Sequence, residues 1–210
     1  MPDRLKMSLS LGSVVLASSS RTRLDMLRAA GLNVEAVPSG LNEAAMIAGM
    51  SGGGDGPSPA DVATVLAEAK AQTVSEMRAG SIVIGADQTL ELDGELFTKP
   101  DSVEQARRNL LKLRGKSHFL HSAVTLVRDG ETLWSLTDSA MMTMRDFTPE
   151  FVGHYSAAEG ETMLDSVGCY RLEGPGVQLF DKIDGDWFTI LGLPLLPLLA
   201  RLRELGVLET

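Results

Sequence analysis

The stretch SIVIGADQTLELDGELFTKP, residues 81–100, decides the fold. Residues 81–85 (SIVIG) are small or β-branched, the composition of a strand buried on both faces. Residues 88–98 read as a hairpin closed by Asp93-Gly94, the dipeptide best suited to a two-residue turn with positive φ. Asp87 follows directly on the buried strand, which places it at the carboxyl end of a sheet, where ligands of open α/β sheets gather. With a two-residue turn, Leu92 faces Glu95 and Gln88 falls opposite Lys99. The register then returns Lys99 to within about one residue of Asp87.

Outward from this stretch, strand and helix signals alternate. Upstream, residues 13–17 (SVVLA) read as a short buried strand that runs into Ser18-Ser19-Ser20. An amphipathic helix over 21–30 stops at Gly31, and 33–38 suggest a second strand. Residues 49–59 (GMSGGGDGPSP) read as a flexible loop. Ser58 is a helix N-cap with proline at the first helical position and Asp61 in the first turn, opening a helix to about residue 77. Downstream come a helix over 102–114, a long hairpin (117–127 and 131–145) around Asp129-Gly130, and a helix over 148–158. A short strand over 168–172, a tight turn at 174–176, a strand near 187–191 and a helix over 194–205 complete the chain. The two hairpins break the strand–helix alternation. The expected class is therefore α/β with a mixed twisted sheet and flanking helices, not a strictly doubly wound one. One domain is expected over 1–210, with about 1–12 as an N-terminal extension.

Nineteen Lys and Arg against 28 Asp and Glu give a net charge of −9. With no basic run, the chain is a poor partner for nucleic-acid polymers or anionic membranes. No stretch reaches the ~18 apolar residues of a membrane span. A single cysteine, Cys169, excludes an intramolecular disulfide and suits a reducing, cytoplasmic compartment. It reads as a small buried residue, since no histidine or cysteine stands near it.

Two places carry chemistry. Ser18-Ser19-Ser20 at a helix start offers hydroxyls, free N–H groups and the positive end of the helix dipole to an anion. Arg21 and Arg23 are two residues apart, so at most one reaches such a ligand. A serine-rich cap with solvated arginines would look the same locally. The second place is Gly85-Ala86-Asp87-Gln88, where an acid with a lysine nearby could hold a hard cation and a phosphate. An ordinary ion pair is the alternative. Glu43 in a polar loop, Lys70 on the helix after Ser58, and Glu173 beside Gly174-Pro175-Gly176 carry little signal alone. His118, His121 and His154 show neither metal spacing nor a nucleophile partner.

Taken together, LASSSRTRLDML (16–27), Ala69-Lys70-Ala71, VIGADQTLELDGELFTKP (83–100) and VGCYRLEGPGVQLFDKIDGDWFTILGLPLLPLLARLRELG (167–206) resemble the Maf family of nucleoside triphosphate pyrophosphatases. The resemblance implies a two-lobed fold around a substrate cleft, similar to inosine triphosphate pyrophosphatases. It also implies hydrolysis of a nucleoside triphosphate to the monophosphate and pyrophosphate, a divalent metal (Mg²⁺ or Mn²⁺), and often a homodimer. Carried over by position, Asp87 matches the essential acid and Glu43 a second acid, together the implied metal ligands. Ser18, Arg23, Lys70 and Lys99 match phosphate-side positions. Arg21-Thr22-Arg23 departs from the commoner Pro-Arg-Arg, and Asn42 replaces an aspartate often found before Glu43.

Gln88 and Glu173, where members acting on pyrimidine triphosphates carry threonine and glutamine, look like the branch that hydrolyses 7-methyl-GTP, with Thr22 at a position that tunes the choice. A methylated guanine is cationic and presents two donors on one edge, which a carboxylate accepts in bidentate fashion. Trp187 offers either a cation–π face for that base or a core position. The rivals are a pyrophosphatase for pyrimidine or other modified triphosphates, and a nucleotide-binding regulator of cell division.

Overall fold

The computed structural model describes residues 12–50 and 56–209. The expected N-terminal extension therefore lies outside the described residues apart from Gly12, as do residues 51–55 of the expected loop. In chain order the elements are β1 (Ser13–Ala17), α1 (Arg21–Ala29), β2 (Asn33–Ala36), α2 (Glu43–Met50), α3 (Pro59–Ser75), β3 (Ile82–Leu92) and β4 (Glu95–Phe97). They continue with α4 (Val103–Leu113), β5 (Ser117–Arg128), β6 (Glu131–Met144), α5 (Pro149–Glu159), β7 (Phe180–Asp184), α6 (Trp187–Ile190) and α7 (Leu195–Glu204). Short 3₁₀ turns occupy Gly160–Asp165 and Pro175–Leu179. The start of α3 is set locally. The Ser58 hydroxyl accepts from the Asp61 N–H, and the Asp61 carboxylate accepts from the Ser58 N–H, satisfying two donors reciprocally.

The seven strands form one sheet in the order β2-β1-β3-β5-β6-β7, with β4 also on β3. β1 pairs in parallel with β2 and β3, and the remaining pairs are antiparallel, so the mixed sheet is as expected. The turn at Asp93-Gly94 sets Leu92 opposite Glu95. Both turn residues have positive φ, 53° and 83°. The pairing of β3 with β4 ends at Leu90–Phe97, before Gln88 and Lys99 come opposite.

Five expectations are corrected. Residues 81–85 and 88–92 are not separate strands: β3 runs through both, because β5 pairs with it continuously from Val83 to Glu91. Asp87 consequently lies within a strand; it is β1 that stops, its last pair being Ala17–Gly85. Glu43 is not in a loop but is the first residue of α2. Residues 168–172 are not a strand: Cys169 takes φ +60°, outside the extended region. Residues 187–190 are helical because the Asp186 carboxylate accepts from the N–H groups of Phe188 and Thr189, and the strand precedes them as β7.

Two hydrophobic clusters lie along the sheet. One joins Met26 and Leu27 of α1 and Leu198 and Leu202 of α7 to Leu16, Ile84 and Ala86. The other joins Leu110 of α4 and Val152 of α5 to Leu90, Leu120 and Met142. Residues 84, 86, 90, 120 and 124 share a face by the two-residue period of strands, so Gln88 and its register partner Ser122 sit between the two lobes. The opposite face of β3 receives α3 through Ala63, Ala67, Ala71 and Val74.

The approach of α3 is close because Gly85 has no side chain. A Cβ there would stand 2.0 Å from the Ala67 carbonyl oxygen and 2.8 Å from the Ala71 Cβ. Neither is a flexible side-chain end, so α3 or β3 would have to move. Gly85→Ala is therefore expected to lower the unfolding free energy in urea by about 3 kcal/mol, or to prevent folding. A loss below about 0.5 kcal/mol would show that this packing is not tight.

Candidate active site

A cleft of about 640 Å³ opens where β1 ends beside the longer β3. Between Ala17–Gly85 and Leu90–Phe97 neither β1 nor β4 pairs with β3 on that edge. Asp87 and Gln88 stand in this gap. The Ala86 carbonyl, just past the last β1 pair, accepts 2.9 Å from Nη1 of Arg23 instead. Arg23 also donates from Nη1 to the Ser18 hydroxyl (3.2 Å) and from Nε to the Gly192 carbonyl (2.7 Å). Its Nη2 makes none of the hydrogen bonds seen among the described residues. The guanidinium is thus fixed on three protein acceptors with one arm left for a ligand. Arg21, by contrast, is exposed and pairs with Asp25 at 3.1 Å.

Lys70 reaches the cleft from α3, on the face that Gly85 brings close. Its Nζ donates to Asp87 Oδ1 at 2.6 Å and lies 2.7 Å from Glu43 Oε1. Lys70, Asp87, Arg23 and Ser18 are all buried, whereas half of the Glu43 side chain remains exposed. Burial pushes the Asp87 carboxyl above its ordinary pKa, against the pull of Lys70 and Arg23, while the Glu43 charge adds to the rise. Burial also lowers the Arg23 pKa, opposed by Asp87 and Glu43. Two carboxylates face two cations, so the cluster is neutral by itself and a bound polyanion would need further positive charge. Lys99 lines the same cleft and is exposed.

Thr22, Gln88 and Glu173, the expected base readers, line a smaller side pocket that shares Thr22, Gln88, Ser166 and Leu191 with the cleft. The Gln88 amide nitrogen donates to the Ser122 hydroxyl and to the Thr189 and Ile190 carbonyls, at 3.0 to 3.2 Å. Two of these partners can only accept, which fixes the amide orientation and leaves the Gln88 oxygen for a ligand. Glu173 is exposed at the pocket rim. Trp187 is 46% exposed on α6 and lines neither cavity, so it is neither a core residue nor placed against a base there.

Ser166, which touches both cavities, and the α6 carbonyls that hold Gln88 went unread in the sequence. Backbone acceptors carry no residue-type signal, and Ser166 stands in irregular structure. Cys169 is buried as expected, its thiol pushed up to about 12 by burial. His118 is buried and held down to about 4, with Nε2 on the Tyr170 hydroxyl. His121 bridges Ser139 and Glu91.

The donor set fits a hard divalent cation in a limited way. Asp87 and Glu43 present carboxylate oxygens converging on one point, the position of the Lys70 ammonium. Among the described residues no group of three or more His, Cys, Asp or Glu could hold a metal. Such a pair suits Mg²⁺ or Mn²⁺ that takes its other ligands from phosphate and water, not a cage made by protein alone.

Residues 13–205 match the family model described as Maf-like protein. A Mesorhizobium japonicum protein named 7-methyl-GTP pyrophosphatase is 55% identical over 93% of this chain and 98% of its own. One of the same name from Brucella abortus biovar 1 is 53% identical over 91% and 95%. A Caulobacter vibrioides protein named nucleoside triphosphate pyrophosphatase is 50% identical over 95% and 99%. Among solved structures, a HAM1 protein from Coxiella burnetii aligns with 64% of this chain and 74% of that one, with 15% identity and a TM-score of 0.40.

The electrostatics predict a specific titration. By carboxyl-carbon NMR, Asp87 titrates above the range of exposed aspartates, and Lys70→Met moves it further up, because the ammonium is the largest force opposing the effect of burial. A downward move in that variant would contradict this origin of the shift.

Proposed function

The chain belongs to the Maf-like protein family, and from that membership we propose that it cleaves a nucleoside triphosphate, 7-methyl-GTP, to the nucleoside monophosphate and pyrophosphate. One observation carries the reading: a buried carboxyl, Asp87, stands 2.6 Å from a buried ammonium in a cleft that Arg23 and Lys99 also line. A passive nucleotide binder needs cations but no buried acid beside them.

In the reaction, a water attacks the α-phosphorus while Asp87 accepts its proton. The bond from the α-phosphorus to the bridging oxygen breaks, and the electron pair leaves with pyrophosphate. Arg23, immobilised by Ser18, Ala86 and Gly192, offers Nη2 to a phosphate oxygen without reorganising. Lys70 and Lys99 neutralise charge that builds on the leaving group. Asp87 and Glu43 would hold a divalent ion, which when bound supplies further neutralisation of the phosphate oxygens.

Base choice follows from acceptors. Gln88, whose amide nitrogen is already engaged, and Glu173 line a pocket beside the cleft, and the Gln88 oxygen and the Glu173 carboxylate are acceptors. A 7-methylated guanine offers an N–H, an amino group and a positive charge, so it satisfies them. Uracil offers a single N–H flanked by two acceptor carbonyls and no positive charge, so it satisfies a bidentate carboxylate less well. The reading also places the enzyme in the cytoplasm as a single domain acting on free nucleotides. No helix among the described residues is long and apolar enough to cross a membrane.

Three outcomes are expected with purified protein, Mg²⁺ and a pyrophosphate assay. Asp87→Asn loses about 10²- to 10⁴-fold in kcat with a native circular dichroism spectrum; near-normal release would remove Asp87 as the base. The wild-type kcat/KM, which reports the nucleotide-free enzyme, falls on acidification with a midpoint above the ordinary aspartate range, since Asp87 must be ionised to accept a proton and burial raises its pKa. Glu173→Gln lowers the ratio of kcat/KM for 7-methyl-GTP over uridine triphosphate by roughly tenfold, the difference between a charged and a neutral acceptor. An unchanged ratio would take Glu173 out of base recognition.

A further inference from the structure

Lys70 stands where a cation bound by Asp87 and Glu43 would stand. Its Nζ is 2.6 Å from one carboxylate and 2.7 Å from the other, and its side chain is buried. A metal ion cannot share that position with an ammonium: the two would repel in a site shielded from water. We propose that Lys70 is a built-in counter-ion that keeps free divalent metal off the Asp87–Glu43 pair, so that metal enters only together with a triphosphate. The inference rests on the pyrophosphatase reading for the identity of the ligand. The exclusion of metal from the nucleotide-free protein does not depend on it.

The exchange is mechanically inexpensive. Lys70 is an ammonium on a flexible stem with three rotatable donors, and it also lines the cleft, so phosphate oxygens can replace the carboxylates as its acceptors. Asp87 is fixed in β3, paired through β5. Glu43 arrives on α2, none of whose residues is buried, so it can adjust to a metal without unpacking a core. Arg23 cannot take the same part, because Gly192, Ala86 and Ser18 hold its guanidinium. Without nucleotide, metal binding would require Lys70 to give up both carboxylates with no anion in return. With nucleotide, the triphosphate supplies that anion, and the metal together with Lys99 offsets most of its charge. Metal and substrate then bind cooperatively, each favouring the other by the same factor.

The test is Mn²⁺ titration of the nucleotide-free protein, read as loss of the free-ion paramagnetic resonance signal. Wild type is expected to leave the ion free at concentrations where Lys70→Met binds one equivalent, the variant being on the order of 100-fold tighter. Adding Asp87→Asn to Lys70→Met should abolish the gained site. Lys70→Gln, closer in polarity, serves if the methionine variant does not give a native circular dichroism spectrum. Two results overturn the proposal: wild type binding one Mn²⁺ without nucleotide as tightly as the variant, or folded Lys70 variants gaining no site. Failure of the functional reading would appear elsewhere, as absence of pyrophosphate release from any triphosphate.

Discussion

A carboxylate removed from water needs a partner, and Asp87 is buried within a strand that is paired along its length with β5. Its partner is Lys70, one helix away, and the contact exists only because α3 lies against β3 at Gly85. A side chain at that glycine would overlap the Ala67 carbonyl. The close approach, the ion pair and the position of Glu43 on the same ammonium are therefore linked. The helix supplies the cation, the strand supplies the acid, and the glycine sets the distance between them.

The rest of the cleft follows from a mismatch of strand lengths. β1 ends at Ala17, while β3 continues to Leu92. The edge left open admits the Ser18-Ser19-Ser20 turn, and Arg23 takes up the Ala86 carbonyl that a longer β1 would face. On the neighbouring face, Gln88 and Ser122 separate the two hydrophobic clusters, which places a polar pocket between two apolar lobes. The charges within the cleft nearly cancel. An acidic chain of net charge −9 therefore does not strongly repel a polyanion at this cleft, which still needs further positive charge to hold one.

Much of this was legible in the residues. Ser58, Pro59 and Asp61 specify the start of α3 through side chain–backbone bonds within four residues, and Asp93-Gly94 specifies its turn through positive φ. The split of Arg21 from Arg23 followed from helical geometry alone. What escaped was set by distant partners. Gly85-Ala86-Asp87-Gln88 has weak strand preference, yet β5 holds it extended, an instance of pairing overriding local propensity. The Trp187-Phe188-Thr189-Ile190 run favours a strand, but Asp186 caps it into a helical turn. α2 has only eight residues and no buried side chain, so it carries no apolar stripe to read. The pairing of Lys70 with both acids depends on α3 packing across the sheet, which no local spacing encodes.

The central claim is that water attacks the α-phosphorus within the cleft built around Asp87. Its most direct test is hydrolysis of 7-methyl-GTP in ¹⁸O-enriched water, with the products resolved by mass spectrometry. The account predicts one labelled oxygen in the nucleoside monophosphate and none in the pyrophosphate. Label in the pyrophosphate, or release of inorganic phosphate in place of pyrophosphate, would contradict it.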